Sequence, residues 1–316
     1  MNKNQVLLQG VVKIGQQQHI LPEEISIIVV AIVVGTLARA WVLKEDYRQY
    51  PSYPNGVLIN IITGFVAAAL GAVALPALMS KNFVAVTFLT LALQQFRDVR
   101  KTEKESLSDL EHTEYTYRGS AYIDGIAKTF ESRNYIAFIT SFFTSLTISI
   151  LPFNIWINIA GGILVGLAVF FFLKRFTKGK TIGDIAQVKP GKVEVKDSSL
   201  YVDGIYVSNL LGTDNAEKLF KEEGMAVVIY PNENHFRINL DNFGQRQAAL
   251  FEATRALGNK RYNFTRKDYE KGRVVITLVP IKQDIDALIE VVKKCPLLES
   301  AKKSHDVMKA NLKEEK

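Results

Sequence analysis

The sequence predicts a membrane α-helical domain of about five spans followed by a C-terminal cytoplasmic α+β domain. Three observations carry this expectation. Long uncharged apolar blocks are confined to residues 1–173, and residues 134–173 form the longest of them. Beyond residue 180 the pattern changes to short apolar runs and capped helical segments. The net charge of +7 falls almost wholly after residue 173.

Residues 1–24 read as an N-terminal segment. Glu23 and Glu24 directly precede the first apolar run, and no small-residue cleavage pattern follows it, so no cleaved signal is expected. The membrane domain is assigned to residues 25–175. Its first span is Ile25 to Leu43, with Arg39 near the end and expected to snorkel toward the membrane surface. Gly56 to Ser80 is uncharged throughout and gives the clearest single span. Asn82 to Phe96 is shorter. It reads either as a short or tilted span or as an interfacial helix. If it does not cross, the count falls to four and the N-terminus moves inside. Residues 134–173 are too long for one crossing and suit two, at roughly 20 residues each. Pro152 supplies the reversal, because it cannot donate a backbone hydrogen bond. The spans are then Tyr135 to Leu151 and Ile155 to Leu173. Gly162 and Gly166 in the last span allow close helix packing, within the chain by default and in a homo-oligomer as the alternative.

Lys and Arg set the orientation. Residues 97–133 carry Arg97, Arg100, Lys101, Lys104, Arg118, Lys128 and Arg133, and Lys174, Arg175, Lys178 and Lys180 follow the last span. The hairpin tip carries none, and the connection after the second span has Lys81. An N-terminus outside and a C-terminal domain in the cytoplasm fit this asymmetry.

The soluble domain is assigned to residues 176–300. Strands are expected at Lys192–Val195, Leu200–Ser208, Met225–Tyr230 and Arg273–Pro280. Asp214 to Glu217 reads as a capping box that opens a helix through Glu223. Gln245–Leu257 is an amphipathic helix stopped by Gly258, and Ile285–Lys294 is expected to be a helix. Residues 301–316 form a charged tail. A basic domain beneath a membrane suits anionic lipid, so membrane lipids are the expected surface partner. The Lys and Arg are interspersed with acids rather than clustered, which argues against nucleic acid.

Several chemistries are excluded. Cys295 is the only cysteine, so neither an intrachain disulfide nor a thiolate metal cage is available. The four His have no metal-ligand spacing, and neither a serine-esterase elbow nor a zinc-protease helix motif occurs. Gly179-Lys180-Thr181 lacks the earlier glycine of a P-loop. No metal or cofactor is expected.

A juxtamembrane motif segment, residues 97–135, precedes the hairpin. Within it Tyr122-Ile-Asp-Gly-Ile-Ala127 resembles the signature hexapeptide of the YIEGIA family, with Asp where the family has Glu. Gln95-Phe-Arg-Asp-Val-Arg100, Arg118-Gly119 and Phe130-Glu-Ser-Arg-Asn-Tyr135 are similar to the family too. The likeness extends to Thr181–Ala186 and Tyr201–Gly204. The resemblance implies a sporulation-associated integral membrane protein of endospore-forming bacteria, in a family associated with suspected proteolysis.

Asp124 and Asp184 are the acids that could serve such chemistry. Asp124 lies 11 residues before the hairpin and Asp184 lies 11 after it, so both emerge on the same side. An aspartic-type peptidase needs two carboxylates sharing one proton. Gly183-Asp184 looks like the end of the Gly-x-Gly-Asp motif of membrane aspartic proteases, but Thr181 replaces the first glycine. Asp203 is a third candidate, although Asp203-Gly204 reads better as a hairpin turn. Tyr122, Lys128, Glu131, Arg133, Arg97, Arg100 and Arg118 are the supporting residues. The competing reading is an ordinary ion-pair ladder, with Asp124 and Lys128 at i,i+4. The leading expectation is thus an aspartic-type peptidase at the cytoplasmic face acting on a protein substrate. The alternative is a non-catalytic scaffold that recruits a small regulatory protein.

Overall fold

The computed structural model describes residues 22–46, 54–79, 83–177 and 179–302. The expectations for residues 1–21, for Ser80 and Lys81, and for the tail beyond residue 302 lie outside the described residues. Contacts divide the chain into two units, one of residues 1–95 and 132–175, the other of residues 96–131 and 176–316. The charged half of the third helix and the signature hexapeptide therefore group with the C-terminal part of the chain.

The helical unit contains α1 (Pro22–Asp46), α2 (Pro54–Met79), the start of α3 (Phe83–Leu110), most of α4 (Ser120–Ile150) and α5 (Ile155–Thr177). Among the described residues, three helices, rather than the expected five, are long and apolar enough to cross a membrane: Glu24–Leu43, Val57–Met79 and Ile155–Thr177. The reason lies in α3 and α4. The apolar run of α3 ends at Gln94 and Gln95, and a charged stretch follows. The uncharged part of α4 is rich in Ser and Thr, whose hydroxyls are used inside the unit. Ser141 Oγ donates to the Ala68 carbonyl at 2.7 Å, and Ser145 Oγ donates to that of Ala72 at 3.3 Å. Small residues let these helices meet. A Cβ on Gly71 would lie 2.2 Å from the Phe138 carbonyl oxygen, and Cβ atoms on Gly162 and Gly166 would collide with Ile148 and Thr144. Gly162 and Gly166 therefore serve packing within the chain, of α5 on α4. Asn158 holds the turn between these two helices, donating to the Leu151 carbonyl at 2.8 Å and accepting from the Phe153 N–H at 3.3 Å.

Arg39 does not snorkel. It is 1% exposed. Its Nε donates to Asn134 Oδ1 at 3.2 Å and its Nη2 to Asn60 Oδ1 at 3.3 Å. A buried guanidinium demands such acceptors. The late part of α1, the early part of α2 and Asn134 of α4 thus meet at one end of the helical unit.

The mixed unit is α+β, as expected. Its larger sheet has the order β1-β5-β7-β6, all antiparallel, with β1 at Ala186–Gly191, β5 at Met225–Pro231, β7 at Val274–Leu278 and β6 at Asn263–Lys267. A smaller sheet joins β2 (Val193–Lys196), β3 (Ser199–Val202) and β4 (Ile205–Ser208). The remaining helices are α6 (Ile182–Ile185), α7 (Asp214–Glu223), α8 (Phe236–Asp241), α9 (Phe243–Leu257), α10 (Ile285–Lys294) and α11 (Glu299–Lys302). Thr213 caps α7 and Asp284 caps α10, each side chain accepting a backbone N–H. Gly258, at φ 69°, ends α9. One core lies between the sheets and α7, around Leu200, Val202, Phe220, Val228 and Val275. Strand β5 is buried along Ala226–Ile229, so both faces of the larger sheet are covered.

Candidate functional site

The signature segment opens α4. Gly119, at φ 84°, turns the chain, and its carbonyl accepts from the Tyr122 and Ile123 N–H groups at 3.0 and 3.1 Å. The Glu111 carboxylate accepts from the Arg118 N–H at 2.8 Å and the Gly119 N–H at 3.5 Å, just before the helix. Arg118 is 4% exposed, pairs with Glu114 at 2.8 Å and lies 4.7 Å over the Phe251 ring. Its burial gives it a structural part that loop charge bias alone does not require.

The hexapeptide then divides by helical period. Tyr122, Ile123, Ile126, Ala127 and Phe130 are all buried. Tyr122 Oη donates to Glu252 Oε1 on α9 at 2.5 Å, and its ring meets that of Phe251 edge-on at 6.2 Å. Burial pushes the Tyr122 hydroxyl well above its usual pKa, and the Glu252 charge adds to this, so the phenol stays protonated and donates.

Asp124 lies on the more open face. Its carboxylate is 2.9 Å from Lys128 Nζ, 3.2 Å from Arg100 Nη2 and 3.6 Å from Lys104 Nζ. Arg100 also pairs with Glu131 at 3.3 Å, and Lys128 with Glu299 at 2.7 Å. Burial alone would raise the Asp124 pKa, but hydrogen bonds from Lys128 and Arg100 outweigh it and hold the value below the ordinary one. The sequence candidates Asp124, Lys128, Glu131 and Arg100 are thus brought into one network.

The other candidates have separate roles. Asp184 is in the first turn of α6, where its Oδ2 accepts from the Thr181 N–H at 2.7 Å and from the Thr181 hydroxyl at 3.0 Å. Asp203 and Gly204, at φ 48° and 75°, make the β3–β4 turn, and Asp203 Oδ1 accepts from the Lys192 N–H at 2.9 Å. Arg133 is buried in the helical unit. The Arg97 side chain lies outside the described residues. Among the described residues, no group of three or more His, Cys, Asp or Glu is arranged to hold a metal ion.

Glu252, Glu299 and Glu111 were not anticipated from sequence. Glu252 and Glu299 meet α4 across 130 and 171 residues of chain, a pairing no local pattern announces. Glu111 was more accessible, as an acid shortly before a glycine that opens a helix.

An ionised, triply paired carboxylate is suited to holding elements together. It is poorly suited to sharing a proton, because nearby cations favour the charged form.

Residues 27–307 match the model of a family described as YIEGIA protein. The chain is also 34% identical over 281 residues to "Uncharacterized protein YphB" of Bacillus subtilis (strain 168), covering 87% of this chain and 92% of that one. No solved structure matches.

Proposed function

The chain belongs to the YIEGIA family, and from that premise we propose that it is an integral membrane regulatory scaffold acting in endospore formation. Its signature hexapeptide is a latch that fixes the start of α4 to the α+β fold. The observation that carries this reading is the engagement of Asp124 by Arg100, Lys104 and Lys128. Tyr122 on one face and Lys128 on the other tie the same helical turn to Glu252 and Glu299. The α+β fold is then free to present its outer surfaces to a regulatory protein.

The latch has a pH signature. The Asp124 pKa is depressed on folding, so its stabilisation is complete above the ordinary value of about 3.9 and fades as pH falls through the lower folded value. Asp124→Asn should destabilise the mixed unit at pH 7, by up to about 1 kcal/mol for each partly exposed pair lost. In strong acid the variant and the parent should melt alike. Equal melting at pH 7 would remove the latch.

The C-terminal domain is placed in the cytoplasm and the start of α1 outside. Lys and Arg distribution supports this, and so does parity. The hydrogen bonds of Arg39 to Asn60 and Asn134 put the end of α1, the start of α2 and the early part of α4 at one end of the helical unit. That end is taken as the cytoplasmic one because residues 97–133, which lead into the helical unit's part of α4, carry Arg97, Arg100, Lys101, Lys104, Arg118, Lys128 and Arg133. Crossings by α4 and α5 then return the chain to the cytoplasm. Descent from the far end of α2 needs α3 to cross as well, giving five. The α4 crossing tolerates its Ser and Thr because they bond inside the unit. Cysteines at Glu24 and Asn154 should react with an impermeant thiol reagent in intact cells, and one at Ser198 should not. Labelling at Ser198 would refute the orientation, and protection at Glu24 would refute five crossings.

A second reading, aspartic-type proteolysis by Asp124 and Asp184, is favoured by one observation. Both carboxylates belong to the same unit, and both keep contact with solvent. It requires one of them to leave its present partners before a proton can be shared.

A further inference from the structure

In the mixed unit the chain between α10 and α11, Cys295 to Leu298, runs between two partners. On one edge it pairs antiparallel with the segment that opens α6. The Ile182 N–H donates to the Cys295 carbonyl at 2.9 Å, the Leu297 N–H donates to the Lys180 carbonyl at 2.9 Å, and Thr181 stands opposite Pro296. On the other edge it meets a side chain. Gln245 of α9 is 1% exposed. Its Nε2 donates to the Pro296 carbonyl at 3.0 Å, and its Oε1 accepts from the Leu298 N–H at 2.8 Å. A primary amide carries both donor and acceptor, so Gln245 stands in for a neighbouring strand.

Residues 295 and 297 thus bond to one edge, and 296 and 298 to the other, the alternation of a β-strand. A slip by one residue would turn the wrong groups to both edges. Buried backbone groups must be paired, so one edge cannot give while the other holds. The segment then reaches the signature. Leu298 is 4% exposed and sits beside Gly125, where a Cβ would lie 3.6 Å from its Cδ2. Glu299 follows and accepts from Lys128 Nζ at 2.7 Å. Asn239 Nδ2 donates to the Ala301 carbonyl at 2.5 Å and fastens the far end to α8. At the near end, Lys180 follows closely on the close of α5 at Thr177.

From this arrangement we propose that residues 295–301 are a coupling strap, which ties the position of the chain leaving α5 to the seating of the signature on α4. A displacement of Lys180–Ile182 shifts the strap as a whole, and Leu298 and Glu299 leave Gly125 and Lys128 with it. The strap rests on the latch for its output, the seating of α4. Its own edges, Gln245 and Lys180–Ile182, are not part of the latch.

The test is hydrogen exchange, read by mass spectrometry at residues 122–131, 180–185 and 295–301 of the full chain in nanodiscs. Gln245→Leu roughly keeps the size of the side chain and removes both of its bonds to the strap. Exchange at 295–301 should rise roughly tenfold or more, because buried backbone groups lose their partners. The same variant should speed exchange at 180–185, on the edge that Gln245 does not bond, and at 122–131. Ile182→Pro removes the N–H that reaches the strap, at a helix start that accepts proline after an extended Thr181. Ile182→Ala, which loses the side chain and keeps the N–H, is its control. Beyond that control, Ile182→Pro should speed exchange at 122–131 and add little in the Gln245→Leu background, the non-additivity of coupled groups. The same cycle in Asp124→Asn separates the two readings, since a failed latch leaves the coupling between Gln245 and Ile182 in place. Effects of Gln245→Leu confined to α9 and 295–301, with 122–131 and 180–185 at parent rates, would overturn the strap. So would additive effects of Gln245→Leu and Ile182→Pro. If Ile182→Pro does not fold, the Gln245→Leu rates at 122–131 and 180–185 decide alone.

Discussion

Tyr122→Ala should be the most damaging single change in the mixed unit, costing about 3–5 kcal/mol as a large aromatic truncated in a core. The side chain is 2% exposed, packs against Phe251 and holds the Glu252 carboxylate. Tyr122→Phe keeps the ring and isolates the hydrogen bond. It should cost about 1–3 kcal/mol, because Glu252 then keeps its charge without its donor. Hydrogen exchange at the α9 amides of the full chain in detergent reads both losses. Glu252→Gln paired with Tyr122→Phe should show a coupling of about 0.5–3 kcal/mol. Parent-like α9 protection in Tyr122→Ala would mean that the signature tyrosine does not secure α4 to the fold.

Gly71→Ala should be comparably harmful to the helical unit. The added Cβ would lie 2.2 Å from the Phe138 carbonyl oxygen, and the obstruction is backbone on both sides. No rotamer change relieves it, so α2 and α4 must separate. Overpacking of this kind costs about 1–3 kcal/mol and occasionally more. Separation would also stretch the Ser141 and Ser145 hydrogen bonds to α2. Gly125→Ala in the signature is the contrast. Its Cβ would meet Leu298 at an ordinary 3.6 Å, and alanine favours a helix by up to about 1 kcal/mol. Gly125→Ala should therefore retain expression and melting temperature, whereas Gly71→Ala should lower both. The reverse ranking would contradict the packing of α2 on α4.

Residues whose roles are set by near neighbours were legible in the sequence. The Asp203-Gly204 turn, the helices over 214–223 and 285–294, the stop at Gly258 and the Asp124–Lys128 pair all follow from spacings of a few residues. Strand β1 was missed because Pro190 and Gly191 interrupt its pattern. It is an edge strand, where proline costs no ladder bond. Strand β6 was missed because Asn263, Thr265, Arg266 and Lys267 give no apolar alternation, and its residues are only half-buried. Arg39 looked like a surface-seeking cation because its acceptors, Asn60 and Asn134, are remote in sequence. Arg100 was a sequence candidate beside Asp124, but the other partners that distinguish a latch from a catalytic acid, Glu252 and Glu299, are likewise contacts between distant segments.

Complementation of a deletion strain with Asp124→Asn, Asp124→Glu and Asp184→Asn tests the latch most directly. Heat-resistant spore yield would be scored beside membrane protein level and melting temperature. The account predicts that function follows stability. Asp124→Glu, the family's own residue, should match the parent, since a carboxylate still meets the cations. Asp124→Asn should fall only as far as its melting temperature does. Asp184→Asn, whose amide oxygen can still accept from Thr181, should stay close to normal. Complete loss of function in both Asn variants, at parent protein level and parent melting temperature, would contradict the latch and establish the two carboxylates as a chemical pair.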